Sequence, residues 1–375
     1  MAEMTCGLRE ALQVISDPRR QCANTKHLFH DILLLGFCGT LAGCDDFVEL
    51  EAWGKQQEAF LRTFLDLPNG IPSHDTLTRV FALVRPETLQ GVLLPWLQER
   101  RGEPGKLIHI DGKTMRGTRR KTKGLRALHI VSAWASEVGL TLGQKAVDAK
   151  SNEITAIPEL LRLLDLRGKI VTIDAMGCQK DIAAAIVEQD GDYVLSVKEN
   201  QPTLYAEAVA AFAAAGQAEK KLASVTTAEE GHGRQEQRTV RVLSAKGLES
   251  QRSLWAGLMT LVMVVRVVTC KATGKVTKEV SYYISSLRAD AKKIGRAIRG
   301  HWAIENGLHW VLDVVFKEDA RRLYERQAAQ NIAFLNRLAL SLLRADSGRD
   351  SLKVKRKRAG WSLAYLTQLL GLQGV

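Results

Sequence analysis

Residues 1 to about 100 read as helical, and the spacing of apolar positions shifts to strands near residue 105. His27 to Leu41 is an apolar, strand-poor stretch. Asp45 or Asp46 supplies a cap for a helix through Phe47, Leu50 and Trp53 to Phe64 and Leu65. Pro68, Gly70 and Pro72 in LDLPNGIPS make a turn, Ser73 caps SHDTLTRVFALV, and Pro86 ends that segment. Two helices joined by a tight turn suit a DNA-binding helix-turn-helix, which would bring Ser73, His74, Thr76 and Arg79 near nucleic acid. An ordinary packed helix pair gives the same pattern.

Beyond residue 105, LIHID (107–111), LHIVSAWA (128–135) and LTLGQKAV (140–147) read as strands, with Gly139 at the turn between the last two. A helix over 154–166, a strand over 169–174, a helix over 179–188 and a strand over 193–198 follow. The order β-β-β-α-β-α-β predicts an α/β layout with one mixed sheet. After an Ala-rich helix at 203–215, residues from about 221 to 287 turn β-rich again, in RTVRVLSA, LMTLVMVVRVV and KEVSYYISSL. Helix returns from Ala289 past Phe316 and again over Gln327 to Leu343. The tail carries the basic run Lys353, Lys355, Arg356, Lys357 and Arg358, then the short amphipathic WSLAYLTQLL.

Charge narrows the class. With 53 Lys and Arg against 41 Asp and Glu, the formal net charge is +12, which points to a polyanionic partner, most simply nucleic acid. The 6 cysteines (Cys6, Cys22, Cys38, Cys44, Cys178 and Cys270) include no CxxC pair, and Cys22, His27, His30 and Cys38 match no zinc spacing, so reduced thiols are expected. The first residues hold no apolar signal segment. The run Leu254 to Cys270 is broken by Arg266 and falls short of the roughly 20 residues that span a bilayer, so it reads as buried strand. These features predict a cytoplasmic, nucleoid-associated protein with no membrane contact. GEPGK at 102–106 is too short for a P-loop, so no nucleotide cofactor is expected.

Three acids stand out. Asp111 ends the strand LIHID and Asp174 ends KIVTID, and open α/β sheets commonly place their chemistry at strand ends. Taken singly, either Asp is as well explained as a turn former. Ile294, Ile298, His301, Glu305, Leu308, Leu312 and Val315 alternate spacings of four and three, which puts them on one helix face with Glu305 inside an apolar stripe. A carboxylate there is costly unless paired, for instance with Arg296 or Arg299, or bound to metal. Three such acids suit two Mg²⁺ or Mn²⁺ ions per active site, hard cations that activate one oxygen and stabilise another in phosphodiester displacement.

The blocks DPRR, GIPSHDTLTRVF, IDGKTMRG, KSNEITAIPELL, VTIDAMGCQ, YVLSVKENQ, HGRQEQR, RGHWAIENGLHWVLDVVFKEDA and NIAFLNRLAL run over nearly the whole chain. Together they resemble bacterial insertion-sequence DDE transposases of the ISAs type, close to the H-repeat-associated proteins. The resemblance implies an RNase H-like mixed five-stranded sheet with helices, interrupted by a β-rich insertion and preceded by an all-helical N-terminal domain. On that reading the domains are 1–100 (helical, DNA binding), 105–198 (first part of the core), 199–288 (insertion), 289–345 (last part of the core) and 346–375 (basic tail). It implies Asp111, Asp174 and Glu305 as the catalytic, metal-holding triad. Asp313 and Asp319 are alternative acids, with Asp313 turned about 80° from Glu305 on the helix.

Candidate DNA contacts are Lys113, Arg116, Lys150, Asn152, Lys198, Asn200, Gln201, Arg299 and His301, beside Ser73, His74 and Arg79. Related transposases carry a tyrosine–arginine–glutamate–lysine signature around the glutamate. This chain departs from it, with Ile298, His301 and Leu312 at those places. The expected activity is metal-dependent cleavage and strand transfer on an element's terminal inverted repeats and target DNA, with a homodimer in the synaptic complex. The alternatives are a catalytically silent DNA-binding regulator and a stand-alone RNase H-like nuclease.

Overall fold

A computed structural model describes residues 7–23, 25–147, 152–219, 221–231 and 233–372. The first part is helical: α1 (Leu8–Gln13), α2 (Phe29–Ala42), α3 (Phe47–Gln56), α4 (Glu58–Leu61), α5 (His74–Leu83) and α6 (Pro86–Arg101). Local chemistry sets their starts. The Asp46 carboxylate accepts the Glu49 N–H at 2.8 Å ahead of α3, Ser73 accepts from Thr76 ahead of α5, and Pro86 opens α6 with its φ already helical.

The tight helix-turn-helix expected here does not form. Residues 62–73 separate α4 from α5, far more than the three or four residues such a turn takes. Leu77, Val80 and Phe81 of α5 are buried instead, against α3, α2 and a later helix.

The strands are β1 (Leu107–Met115), β2 (Leu128–Ala135), β3 (Leu140–Val147), β4 (Ile170–Ile173), β5 (Asp192–Val197), β6 (Ala223–Gly231), β7 (Arg234–Ser244), β8 (Thr260–Cys270) and β9 (Val276–Ser285). Between them lie α7 (Glu153–Leu161), α8 (Lys180–Val187), α9 (Pro202–Gln217) and α10 (Glu249–Leu254). All nine strands join one sheet in the order β3-β2-β1-β4-β5-β9-β8-β7-β6. The contacts β1–β4 and β4–β5 are parallel and the others antiparallel.

The five-stranded expectation is therefore corrected. β3-β2-β1-β4-β5 form one half, but β5 is not an edge, because β9 pairs along it from Val194↔Ser285 to Val197↔Tyr282. The open donors and acceptors of an edge strand are what permit this extension. Leu254 also moves from the expected strand into α10, with β8 starting at Thr260.

Helix α11 (Ala291–Ile304) lies across the sheet, with Ile294, Ala297 and Ile298 buried among Leu107, Ile170, Val194 and Val262. A π-helical turn, Glu305–His309, joins it to α12 (Trp310–Val314). Then come α13 (Arg326–Ala345), α14 (Leu352–Trp361) and α15 (Leu363–Leu370). α13 is the centre of the molecule. Nearly all of its side chains are buried, between α2, α5, α6 and α14 on one side and β2 and β3 on the other. Its buried polar groups tie the neighbouring parts to it: Asn331 donates to the Phe81 and Val84 carbonyls, both at 2.8 Å, and Arg337 meets Glu318 at 3.0 Å.

Candidate active site

Alternation along β1 places His109, Asp111 and Lys113 on one face. The parallel register pairs Ile110 with Ile173, so Asp111 and Asp174 follow side by side on neighbouring strands. β4 stops there while β1 continues, which leaves a notch beside Asp111. Asp174 turns the chain away by accepting the N–H groups of Met176 at 3.0 Å and Gly177 at 3.2 Å. A cavity of about 660 Å³ opens beside Asp174, lined by Lys198, Asn200, Tyr205 and Tyr282 among others.

Burial pushes the Asp111 carboxyl up to about 7, and the charges of Asp174, Glu153 and Glu305 push the same way. Asp174 is raised too, by burial and then by Glu153, with Lys198 opposing. Asp111 thus feels three other carboxylates at this end of the sheet, and Asp174 feels Glu153.

Glu305 occupies the first place of the π-turn and is exposed, while Ile304 is fully buried in its stead. The apolar stripe expected to carry Glu305 inward is corrected by this turn, whose wider spacing shifts the register between Ile298 and Leu308.

The remaining predicted residues divide into three groups. Lys113 is only 6% exposed, and its ammonium sits 2.6 Å from Asp313 and 3.3 Å from Asp319. That geometry makes it an internal ion-pair partner, not the phosphate contact expected of it. His301 faces inward as well: its Nδ1 meets Thr172 Oγ1 at 2.8 Å, and the same hydroxyl meets His109 Nδ1 at 2.6 Å. Burial lowers His301 to about 4, so a cationic contact with DNA does not suit it. Asn152 caps α7 by accepting the Ile154 N–H at 3.1 Å, and Ser73 caps α5.

Arg116 is 84% exposed and Lys198 is exposed next to Asp174, so both stay open to a ligand. Asn200 donates to the Ala175 carbonyl at 2.6 Å and Gln201 to that of Cys178 at 2.9 Å, both bracing the turn after Asp174. Arg299 pairs with Glu229 of β6 at 2.7 Å, and His74 with Glu51 at 2.7 Å, while Arg79 is exposed on α5. Lys150 falls outside the described residues.

Two groups at this place were not assigned to the chemistry from the sequence. Glu153 opens α7, and its Oε1 meets His129 Nε2 at 2.6 Å. His309 lies four residues after Glu305 with Nδ1 3.5 Å from Asp111 Oδ2. The only sequence signals were a carboxylate just inside a helix start and a histidine one turn beyond Glu305.

The donor set can be tested against divalent cations. Asp111, Asp174, Glu153 and Glu305 offer carboxylate oxygens alone, the type Mg²⁺ and Mn²⁺ take. Among the described residues no three His, Cys, Asp or Glu side chains form a ready cage for one ion. Mg²⁺ is ordinarily held by one or two carboxylates, with water and phosphate completing the shell. Burial and neighbouring acids raise the proton affinity of Asp111 and Asp174, and a bound cation would relieve that cost. The residues fit an open, two-carboxylate mode of binding.

Comparison with known proteins places the chain in a family. Residues 103–342 match the "Transposase DDE domain" family model, and residues 9–97 match the "DDE_Tnp_1-associated" model. The chain is 41% identical over 369 residues to "Putative transposase YncI" of Escherichia coli O157:H7, covering 97% of this chain and 94% of that one. It is 37% identical over 373 residues to "H repeat-associated putative transposase YhhI" of Escherichia coli strain K12, covering 98% of each. Among solved structures it is similar to a piggyBac transposase synaptic complex with hairpin DNA, at TM-score 0.43 and 11% identity over 96% of this chain and 76% of that one. No described helix is long and apolar enough to cross a membrane.

Proposed function

The chain belongs to the DDE-domain transposase family, and from that premise we propose that Asp111, Asp174 and Glu305 are the acids at which it cuts and rejoins DNA. The observation that carries this reading is the register of β1 on β4, which sets Asp111 beside Asp174, with the Glu305 charge felt at Asp111. On this reading β3-β2-β1-β4-β5 with α7 and α8 form an RNase H-like core, and residues 199–288 are an insertion that widens its sheet.

Asp111 and Asp174 would hold the metal with oxygen ligands from neighbouring strands, and Glu305 would add a third from the π-turn after α11. When bound, Mg²⁺ or Mn²⁺, two per site, supplies Lewis-acid activation of the attacking oxygen and charge neutralisation at the leaving one. Lys198 and Arg116 hold the scissile strand through its phosphates. Water attacks the phosphodiester at the element's end, the bond to the 3′ oxygen breaks, and a 3′-OH is exposed. That hydroxyl then attacks a phosphodiester of target DNA, so one bond forms as one breaks. Pairing two element ends calls for a homodimer in the working complex.

The test is strand cleavage of labelled end DNA with Mn²⁺ by wild type, Asp111→Asn, Asp174→Asn and Glu305→Gln. We expect each variant to bind DNA and to lose cleavage by at least about a thousandfold. Metal-dependent cleavage retained by Asp111→Ala would overturn the assignment.

A further inference from the structure

Arg321 stands in the segment between α12 and α13 and is 8% exposed. Its Nε has no hydrogen-bond partner, and among the described residues the guanidinium enters no hydrogen bond or ion pair. The acids whose charge reaches it are Asp45, Asp46 and Glu318, and each is held elsewhere. Asp45 pairs with Arg356 at 2.9 Å and Lys317 at 2.8 Å, Asp46 accepts the Glu49 N–H, and Glu318 pairs with Arg337. A buried cation with no partner is costly, so its retention points to an anion from outside.

Arg321 lines a cavity of about 380 Å³ between the end of α2, the starts of α3 and α5, and the chain just before α13. Arg120, Arg322, His74, Thr78 and Tyr324 line it too, with the Arg120 guanidinium 5.1 Å above the Tyr324 ring. Asp46 and Glu325 are the acids on its wall, the first already bonded and the second exposed. The cavity is also connected to the carboxylates by charge. The strand carrying Asp111 ends at Met115 and runs through the exposed Arg116 and Arg119 to the cavity at Arg120, with the exposed Lys121 and Lys123 just beyond it.

We propose that this cavity is a phosphate-binding site, taking one backbone phosphate of the DNA strand that leaves the Asp111 site along this basic strip. A phosphate offers several oxygens to the planar guanidinium fork, and the flanking cations draw the same ligand. The assignment of DNA as the source rests on the transposase reading.

The experiment uses the full chain, as wild type, Arg321→Met and Arg321→Lys, with Asp111→Asn as a cleavage-deficient control for duplex binding. Tm is measured in sodium phosphate and in sodium chloride at equal ionic strength. Affinity for a fluorescein-labelled duplex is measured by anisotropy across a salt series. Phosphate should raise the Tm of wild type and not that of Arg321→Met. Arg321→Met should bind duplex about tenfold more weakly, with a salt slope shallower by about 1, and Arg321→Lys should recover part of that loss. In chloride, Arg321→Met should be at least as stable as wild type, since it removes an unpaired buried charge.

A wild type blind to phosphate, or an Arg321→Met chain that is destabilised in chloride while binding duplex normally, overturns the site. A phosphate response lost without any change in duplex affinity makes free phosphate the ligand and overturns the DNA assignment. If wild type and Asp111→Asn both fail to bind duplex, the DNA reading itself falls, and the phosphate-dependent Tm alone decides the cavity.

Discussion

Glu153 of α7 and His129 of β2 meet at 2.6 Å in the space that a side chain on Gly112 would need. A Cβ at 112 would lie 2.2 Å from Glu153 Oε1 and 2.4 Å from His129 Nε2, one residue along from Asp111. Glycine is required here for closeness, not for an unusual backbone angle. Both neighbours are ends of side chains, so Gly112→Ala should fold, at a cost of about 1–3 kcal/mol. It should nevertheless displace Glu153 from the other acids. We expect Glu153→Gln and Gly112→Ala to raise the Mn²⁺ concentration for half-maximal cleavage by about tenfold. A metal titration of Glu153→Gln that superimposes on wild type would exclude this role.

The pair His109 and His301 sets a pH response. Both rings meet the Thr172 hydroxyl, which has one proton to give, so at least one ring must donate its Nδ1–H to the hydroxyl oxygen. Burial lowers His301 to about 4 and His109 to about 3, below their ordinary value of 6.5. The unfolded chain therefore takes up protons first as pH falls. Stability is fully present above about 6.5 and declines toward pH 4, at up to about 1.4 kcal/mol per pH unit for each group. His301→Gln should flatten that decline, measured as denaturant midpoint against pH. Equal slopes for variant and wild type would count against it.

Lys113 is predicted to stabilise the fold without gripping DNA. Asp319, besides reaching its ammonium, accepts the backbone N–H of Arg116 at 3.1 Å, so the cluster fastens the end of β1 to the segment after α12. Lys113→Met should cost about 3 kcal/mol by leaving Asp313 half-buried and unpaired and Asp319 with Arg116 alone. Duplex affinity of the folded fraction should change less than twofold or so. Anisotropy and chemical denaturation separate the two; a large loss of affinity at unchanged stability would restore Lys113 as a phosphate contact.

Glu318 and Arg337 are both fully buried and meet at 3.0 Å, and Arg337 Nε also donates to Ser132, the β2 partner of Asp111. Removing one member leaves an uncompensated charge. Arg337→Met or Glu318→Gln should cost about 3–5 kcal/mol, while the double variant should recover much of that loss. Additive losses in a denaturation cycle would contradict the coupling.

Much of this was legible in the sequence, and the exceptions share a cause. The runs LIHID and KIVTID each end in an Asp, and the parallel register of β1 on β4 makes those two residues neighbours. The outward turn of Glu305 was hidden because a π-turn is a change in backbone hydrogen bonding that side-chain periodicity does not record. The widened sheet was hidden because β5 and β9 are far apart in sequence, and nothing local says which strand claims an open edge. Lys113 looked like a free cation because its partners, Asp313 and Asp319, lie some two hundred residues on. Glu153 was in view as one acid of a motif, and only the fold revealed its company.

Helix α13 has a mechanical consequence. One uninterrupted rod is common property of the helical lobe and the sheet. A swing of either lobe would have to break its packing on that rod. A nucleic acid gripped near α5 is thus held at a fixed distance from the acids of β1. Any reshaping between cutting and joining must come from bending of the duplex or from the arrangement of subunits.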